Sequence, residues 1–304
     1  MLPVAFSMFS GYILLVSVLE PLSIGSHAAI YTAASDEWLR GGDPWSVGPP
    51  AAVFAGPPPM LALFAPFTVL PELANRVIWV GLAATAAVLV VRRLRLPAYW
   101  IGFPPIFQSI MLGHPEVIVL LLVVSGGALA GLGASIKPYA VAPLIAERRW
   151  RAIALAAAFL VITAPLLPWG LFLERLPAIA STLERQSNGD STFGNPLLMI
   201  VAVLLLSRLG GRRALWLATP LLWPSAQFLY RTLSVPYLSP LIAIAWAFPV
   251  PGATLAGLAV DAVVRTLRGR IAMPDWIAAG ADVVVPSGDE NHHPESTTAG
   301  AQKP

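Results

Sequence analysis

One short segment near the N-terminus concentrates the residue types that move protons. It reads Ser26-His27-Ala28-Ala29-Ile30-Tyr31, continues through Asp36-Glu37-Trp38-Leu39-Arg40, and closes on Gly41-Gly42 ahead of Asp43-Pro44-Trp45. Glycine after a helical stretch suits the left-handed turn that ends a helix, so His27 to Arg40 is expected to be helical. At about 100° per residue, Tyr31 and Trp38 share the face of His27, whereas Asp36 points about 180° away. An imidazole with an ordinary pKa of about 6.5 suits proton abstraction near neutral pH. His27 therefore ranks first as a general base. Asp43 follows the glycines, is free of that periodicity and ranks second, although Asp-Pro also starts turns. Asp36 ranks third.

A cation comes from Lys137, which sits with Pro138 between two apolar half-helices. An ionisable residue in such a setting is costly without a partner and marks a functional site; the structural alternative is a lysine reaching an interface. His114 and Glu116 form the turn of a neighbouring apolar hairpin and fall on the same side as Lys137. Tyr230 and Arg231 lie in a later loop, where an interfacial anchor is the structural alternative. Gln108 is a polar residue in an apolar helix, equally suited to a helix–helix hydrogen bond. No phosphate loop, dinucleotide fingerprint, nucleophile elbow or paired-histidine zinc motif occurs.

The surroundings of these residues are those of a membrane protein. Hydrophobic residues make up 57% of the 304 residues and charged residues only 12%, against roughly a quarter charged in soluble domains. Mean hydropathy is +0.72. The net charge of +3 does not suggest nucleic-acid binding, and the absence of cysteine excludes disulfides and thiolate metal sites. Thirty prolines, many inside apolar runs, predict broken or re-entrant helices around a cavity. The expected fold is all-α and polytopic, with an outer-loop helix. Apolar runs at 2–23, 73–91, 98–112, 117–124, 152–172, 196–206, 215–222 and 235–249 are read as spans or parts of spans, with a short helix at 60–69 and a broken hairpin at 126–146. Roughly nine to ten membrane segments result.

Arginines 92, 93, 95, 148, 149, 151, 208, 212 and 213 fall in three short turns. The positive-inside rule makes those turns and the N-terminus cytoplasmic, and the loops 25–58 and 173–195 extracytoplasmic. Residues 1–250 form the transmembrane unit. Residues 251–279 are expected to hold a cytoplasmic amphipathic helix, and 280–304, with His292-His293, a disordered tail. No metal site is expected.

The order of these features resembles glycosyltransferase family 87 of the GT-C superfamily. The matching residues are Tyr31, Gly42-Asp43-Pro44-Trp45, Pro57-Pro58-Pro59, Gly113-His114, Gly131-Leu132, Lys137-Pro138 and Arg148-Arg149-Trp150-Arg151. The resemblance implies a hexosyltransferase, typically a mannosyltransferase, of a bacterial plasma membrane. It takes sugar from a polyprenyl-phosphate donor to a glycolipid or glycan acceptor, inverting the anomeric carbon, among membrane lipids and without a cofactor. With that chemistry in view, Lys137 and Arg231 are candidates to hold the donor phosphate, and substrate contacts are expected at Tyr31, His114, Glu116, Lys137, Tyr230 and Arg231. Two positions depart from the family pattern. The acid four residues before Tyr31 is His27 here, and the Gly-Gln turn carries His114 in place of Gln, with Glu116 in the Asn position. Loss of that acid supports a second reading, a non-catalytic lipid-glycan-binding or scaffolding relative. A transporter is third; no inverted repeat is evident.

Overall fold

Proline sets most of the breaks in a chain that is otherwise helical. The structure, a computed structural model, describes residues 2–20, 23–49, 52–186, 191–224 and 226–268; the 280–304 tail and His292-His293 lie outside the described residues. In chain order come α1 (Leu2–Leu19), α2 (Ser26–Leu39), α3 (Pro58–Phe64), α4 (Glu72–Arg93), α5 (Pro104–Leu112), α6 (Glu116–Ser125) and α7 (Ala130–Ile136). They are followed by α8 (Val141–Ala146), α9 (Trp150–Thr163), α10 (Trp169–Gln186), α11 (Pro196–Ser207), α12 (Gly211–Leu222), α13 (Pro240–Trp246) and α14 (Ala253–Arg268). Short 3₁₀ segments link them, and no strand occurs among the described residues. Helices α3, α5, α11 and α13 each begin on a proline, where its missing N–H has no intrahelical partner to lose.

The 22-residue α4 is the one described helix long and apolar enough to cross a bilayer by itself. Helices α5 and α6 together reach that length but are bent by 118° at the Gly113–Pro115 turn. The remaining apolar segments are shorter. Helix α4 packs on α5 and α6, and α7 lies between α6 and α9. A Cβ on Gly131 would stand 2.2 Å from the carbonyl oxygen of Ala152, so the contact of α7 with α9 requires glycine there. The arginine-bearing turns meet at one end of the molecule. Arg93 and Arg149 both donate to carbonyls at the C-terminus of α6, those of Ser125 and Val123. Arg212 pairs with Glu147, whose carboxylate also accepts from Trp216 Nε1 at 2.9 Å and the Tyr237 hydroxyl at 3.2 Å.

Three stretches differ from the sequence expectation. The run 152–172 is not one helix: Pro165 and Pro168 withhold two backbone N–H groups, and α9 ends at Thr163 before α10 starts at Trp169. The stretch from Glu174, read as a polar loop, continues α10 to Gln186. Its apolar residues Phe172, Leu176, Ile179 and Leu183 recur at helical spacing, and the polar residues between them mask the pattern. The run 235–249 yields only the seven-residue α13. Ahead of it Phe228–Tyr237 forms a 3₁₀ helix, buried over Phe228 to Pro236, where an exposed loop was expected. Pro236 and Pro240 interrupt an α-helix at that point.

Helix α14 covers the expected amphipathic segment. Its Asp261 is buried against α13 and accepts from Ser239 Oγ at 2.6 Å and Arg265 Nε at 2.7 Å.

Candidate active site

Helix α2 forms where the spacing predicts it and ends at Arg40, followed by Gly41 with φ +81°. It buries Ala28, Tyr31, Ala34 and Ser35. Asn75 of α4 fastens it by donating to Thr32 Oγ1 at 2.7 Å. The face with His27 and Tyr31 turns inward. Asp36, on the other side, forms a partly exposed pair with Arg40 at 2.7 Å.

The turn between α5 and α6 meets that inward face. Gly113 adopts φ +63°, and a Cβ on it would stand 3.1 Å from Ala28 Cβ and 3.3 Å from Trp79 Cβ. A glycine therefore lets the turn approach α2 closely. The approach puts the rings of His27 and His114 edge to face at 5.2 Å, with Tyr31 5.7 Å from His114. His114 Nδ1 accepts from the Glu116 backbone N–H at 3.3 Å, so in the neutral ring the proton sits on Nε2.

The break between α7 and α8 supplies the cation. Lys137 is only 7% exposed, and its Nζ lies 5.7 Å from the centre of the Tyr230 ring. Tyr139, two residues on, packs its ring at a tilt against Tyr230 at 4.4 Å and donates its hydroxyl to Glu116 Oε1 at 2.5 Å. Glu116 is fully buried and its Oε2 has no hydrogen-bond partner. Tyr230 comes from the 3₁₀ segment Phe228–Tyr237.

These elements enclose a cavity of about 440 Å³. His27, Tyr31, Gln108, Lys137, Gln227 and Tyr230 give it polar lining; Ile30, Val53, Leu112, Leu183 and Leu229 give it apolar walls. Burial first, and then the nearby Lys137 charge, pull His27 down from its ordinary value to about 4. The ring is thus neutral at pH 7 and able to accept a proton. Its Nδ1 is sealed off without a hydrogen-bond partner, so transfer to or from a molecule in the cavity falls to Nε2.

Seven of the residues singled out from sequence therefore assemble: His27, Tyr31, Gln108, His114, Glu116, Lys137 and Tyr230. Three do not. Asp36 faces away. Asp43 caps the 3₁₀ turn Pro44–Ser46, accepting from Trp45 N at 3.0 Å, and pairs with Arg175 of α10 at 2.8 Å; it lines a separate cavity of about 160 Å³. Arg231 turns away and donates to the carbonyls of Trp246 at 2.8 Å and Phe248 at 2.6 Å. Tyr139 was missed, although the Lys137-Pro138-Tyr139 run puts it one short turn from the cation. Leu183 has no place in the sequence reading because the stretch from Glu174 reads as a loop.

A family model described as glycosyltransferase family 87 matches residues 54–274. No curated protein and no solved structure matches the chain.

Proposed function

The chain belongs to glycosyltransferase family 87, and from that membership we propose that it transfers a hexose, mannose by preference, from a polyprenyl-phosphate donor to a glycolipid or glycan hydroxyl. The chain is read as a multi-pass protein of a bacterial plasma membrane with its N-terminus cytoplasmic. Breaks within its apolar segments put short helices around a cavity at the extracytoplasmic side. The observation that carries the proposal is the convergence of a neutral imidazole, His27, and a buried cation, Lys137, on one cavity with apolar walls.

The chemistry follows from those two groups. The acceptor hydroxyl attacks the anomeric carbon from the face opposite the lipid phosphate. A C–O bond forms to the acceptor, the C–O bond to phosphate breaks, and the configuration inverts. His27 Nε2 takes the hydroxyl proton. Lys137 stabilises the negative charge that grows on the departing phosphate, a compact ammonium being suited to that group. Tyr230 and Tyr139 pack beside Lys137, and the Glu116 carboxylate offsets its charge in the low-dielectric interior. Tyr31 and His114 shape the wall around His27. Because the donor is a lipid, no nucleotide-binding domain is required. Asp43 acts here through structure, by capping the turn at Pro44–Ser46 and holding α10 through Arg175.

The test is incubation of the purified protein with radiolabelled polyprenyl-phosphate hexoses and a membrane lipid extract. Label appearing in a new lipid or glycan product, and lost with His27→Ala, is the expected outcome. Absence of transfer from every polyprenyl-phosphate hexose, by protein that binds them, would leave the non-catalytic reading.

A further inference from the structure

Two arginines sit where the backbone favours glycine. Arg95, just past the end of α4, and Arg148, just past the end of α8, both adopt φ +53°. A side chain is strained in that left-handed region, and helices that end there mostly use glycine. Among the described residues every other positive φ belongs to a glycine. Contacts within the protein do not offset the strain. Both arginines are exposed, and among the described residues neither side chain makes a hydrogen bond or an ion pair. Their neighbours differ: Arg93 and Arg149 donate to the carbonyls that end α6. The same end of the molecule carries an excess of positive charge. Its three turns, 92–95, 147–151 and 208–213, hold nine arginines and one carboxylate, Glu147, and Arg212 takes that carboxylate. Trp150, between Arg149 and Arg151, is 62% exposed. Helix α4 fixes the depth of this end. Its 22 residues rise about 33 Å at 1.5 Å each, close to the roughly 30 Å of a bilayer's hydrocarbon core. The helix ends on Arg92 and Arg93, so Arg95 falls in the headgroup layer.

We propose that this end of the molecule binds the phosphate headgroups of anionic glycerophospholipids in the cytoplasmic leaflet, with Arg95 and Arg148 as its dedicated contacts. The proposal rests on the membrane reading above and is independent of the transfer chemistry. A guanidinium is always charged and meets a phosphate through two parallel N–H donors. An exposed indole, with an apolar body and a polar tip, suits the headgroup level. Exposed arginines crowded at one end repel one another, and a facing layer of phosphates relieves that repulsion. Arginine at a left-handed position is then intelligible: the strain is local, and the compensating contact lies outside the protein.

The full-length protein in detergent is titrated with phosphatidylglycerol and, separately, with phosphatidylcholine of the same chains, and bound lipid is counted by native mass spectrometry. Glycerol phosphate supplies the headgroup without the lipid. Wild type is expected to prefer phosphatidylglycerol, and glycerol phosphate at equal concentration is expected not to displace it. An arginine near an anionic membrane surface is worth about fivefold in affinity. The double variant Arg95→Gly, Arg148→Gly is therefore expected to bind phosphatidylglycerol about 25-fold more weakly, with phosphatidylcholine unchanged. Without lipid it is expected to melt at or above the wild-type temperature, because glycine relieves the left-handed strain. The double variant Arg95→Gln, Arg148→Gln keeps the strain, removes the charge and is expected to lose the same affinity. Equal affinity of wild type for the two lipids, or an undiminished preference in both variants, would overturn the inference. A lower melting temperature of the glycine variant with unchanged phosphatidylglycerol affinity would make the two arginines packing residues. Displacement by glycerol phosphate would replace the lipid site with a soluble phosphate site. These results leave the transferase reading intact, whereas a wild type that fails to incorporate into liposomes would overturn the membrane reading and this inference together.

Discussion

Replacing Lys137 by glutamine removes the cation on which the proposed reaction depends and leaves the neutral base in place. The lysine is almost fully buried beside the Tyr230 ring, so bulk water cannot substitute for its charge. Glutamine keeps much of the length and can still donate a hydrogen bond, but it removes the cation. Loss of one preorganised stabilising group at a departing anion costs roughly 10²–10³ in turnover, about 2.7–4 kcal/mol. A second consequence concerns pH. His27 is lowered to about 4, firstly by burial and secondly by Lys137. A general base works only when unprotonated, so the acid limb of wild-type kcat/KM is expected near pH 4. Without Lys137 the burial remains and the charge is gone, so that limb moves up, to between about 4 and the ordinary value of about 6.5. The assay is the transfer rate from a polyprenyl-phosphate hexose between pH 3.5 and 8 with folded Lys137→Gln. Turnover within about threefold of wild type at pH 7 would refute the phosphate role. A large loss with an unmoved acid limb would refute the coupling of Lys137 to His27 and leave burial as the cause of the low His27 value.

The remaining expectations concern the other candidate acids, pH stability and topology. His27→Ala should lose about 10²–10⁴ in transfer rate, and Asp36→Ala should stay close to wild type because its pair with Arg40 is partly exposed. Asp43→Ala should lower the melting temperature through loss of a cap and a half-exposed ion pair, together about 1–2 kcal/mol, and keep most of the activity; a dead but well-folded Asp43→Ala would return Asp43 to the catalytic role. Stability should fall as the pH drops from about 6.5 to 4, by at most about 3 kcal/mol from His27. In that window the unfolded histidine binds a proton and the folded one does not, so His27→Phe should flatten the slope in thermal unfolding scans. Burial pushes the Glu147 carboxyl up, but hydrogen bonds from Arg212, Trp216 and Tyr237 outweigh it and hold it below the ordinary carboxylate value. Its contribution is therefore present above the unfolded value of about 4.5 and is lost as the pH falls through the lower folded one; Glu147→Gln should lower the melting temperature at pH 7 and narrow the gap to wild type in acid. Cysteine introduced at Ser46 should react with an impermeant maleimide in intact cells, and labelling only after permeabilisation would invert the topology.

Composition and local spacing determine much of this protein without its coordinates. The helical class, the breaks at proline and the shared face of His27 and Tyr31 follow from short-range pattern, because helix period, chain stiffness and residue type act over a few neighbours, and the order of motifs along the chain carries the resemblance to the family. The Lys137-Pro138 break is legible for the same reason: proline removes its N–H whatever surrounds it. Tertiary structure decides what those rules cannot reach. Proximity of His27 to His114 depends on a bare glycine turn packing against α2, a contact between residues far apart in sequence. Whether Asp43 faces the large cavity or Arg175 depends on α10, whose apolar residues are too widely spaced to stand out among its charges. Arg231 reads as a loop cation until Trp246 and Phe248 offer it their carbonyls. The acidic character of Glu116 is visible in the sequence, but the missing partner of its Oε2 is not. An unsatisfied hydrogen bond is a property of everything packed around the group, and only the folded chain brings those neighbours together.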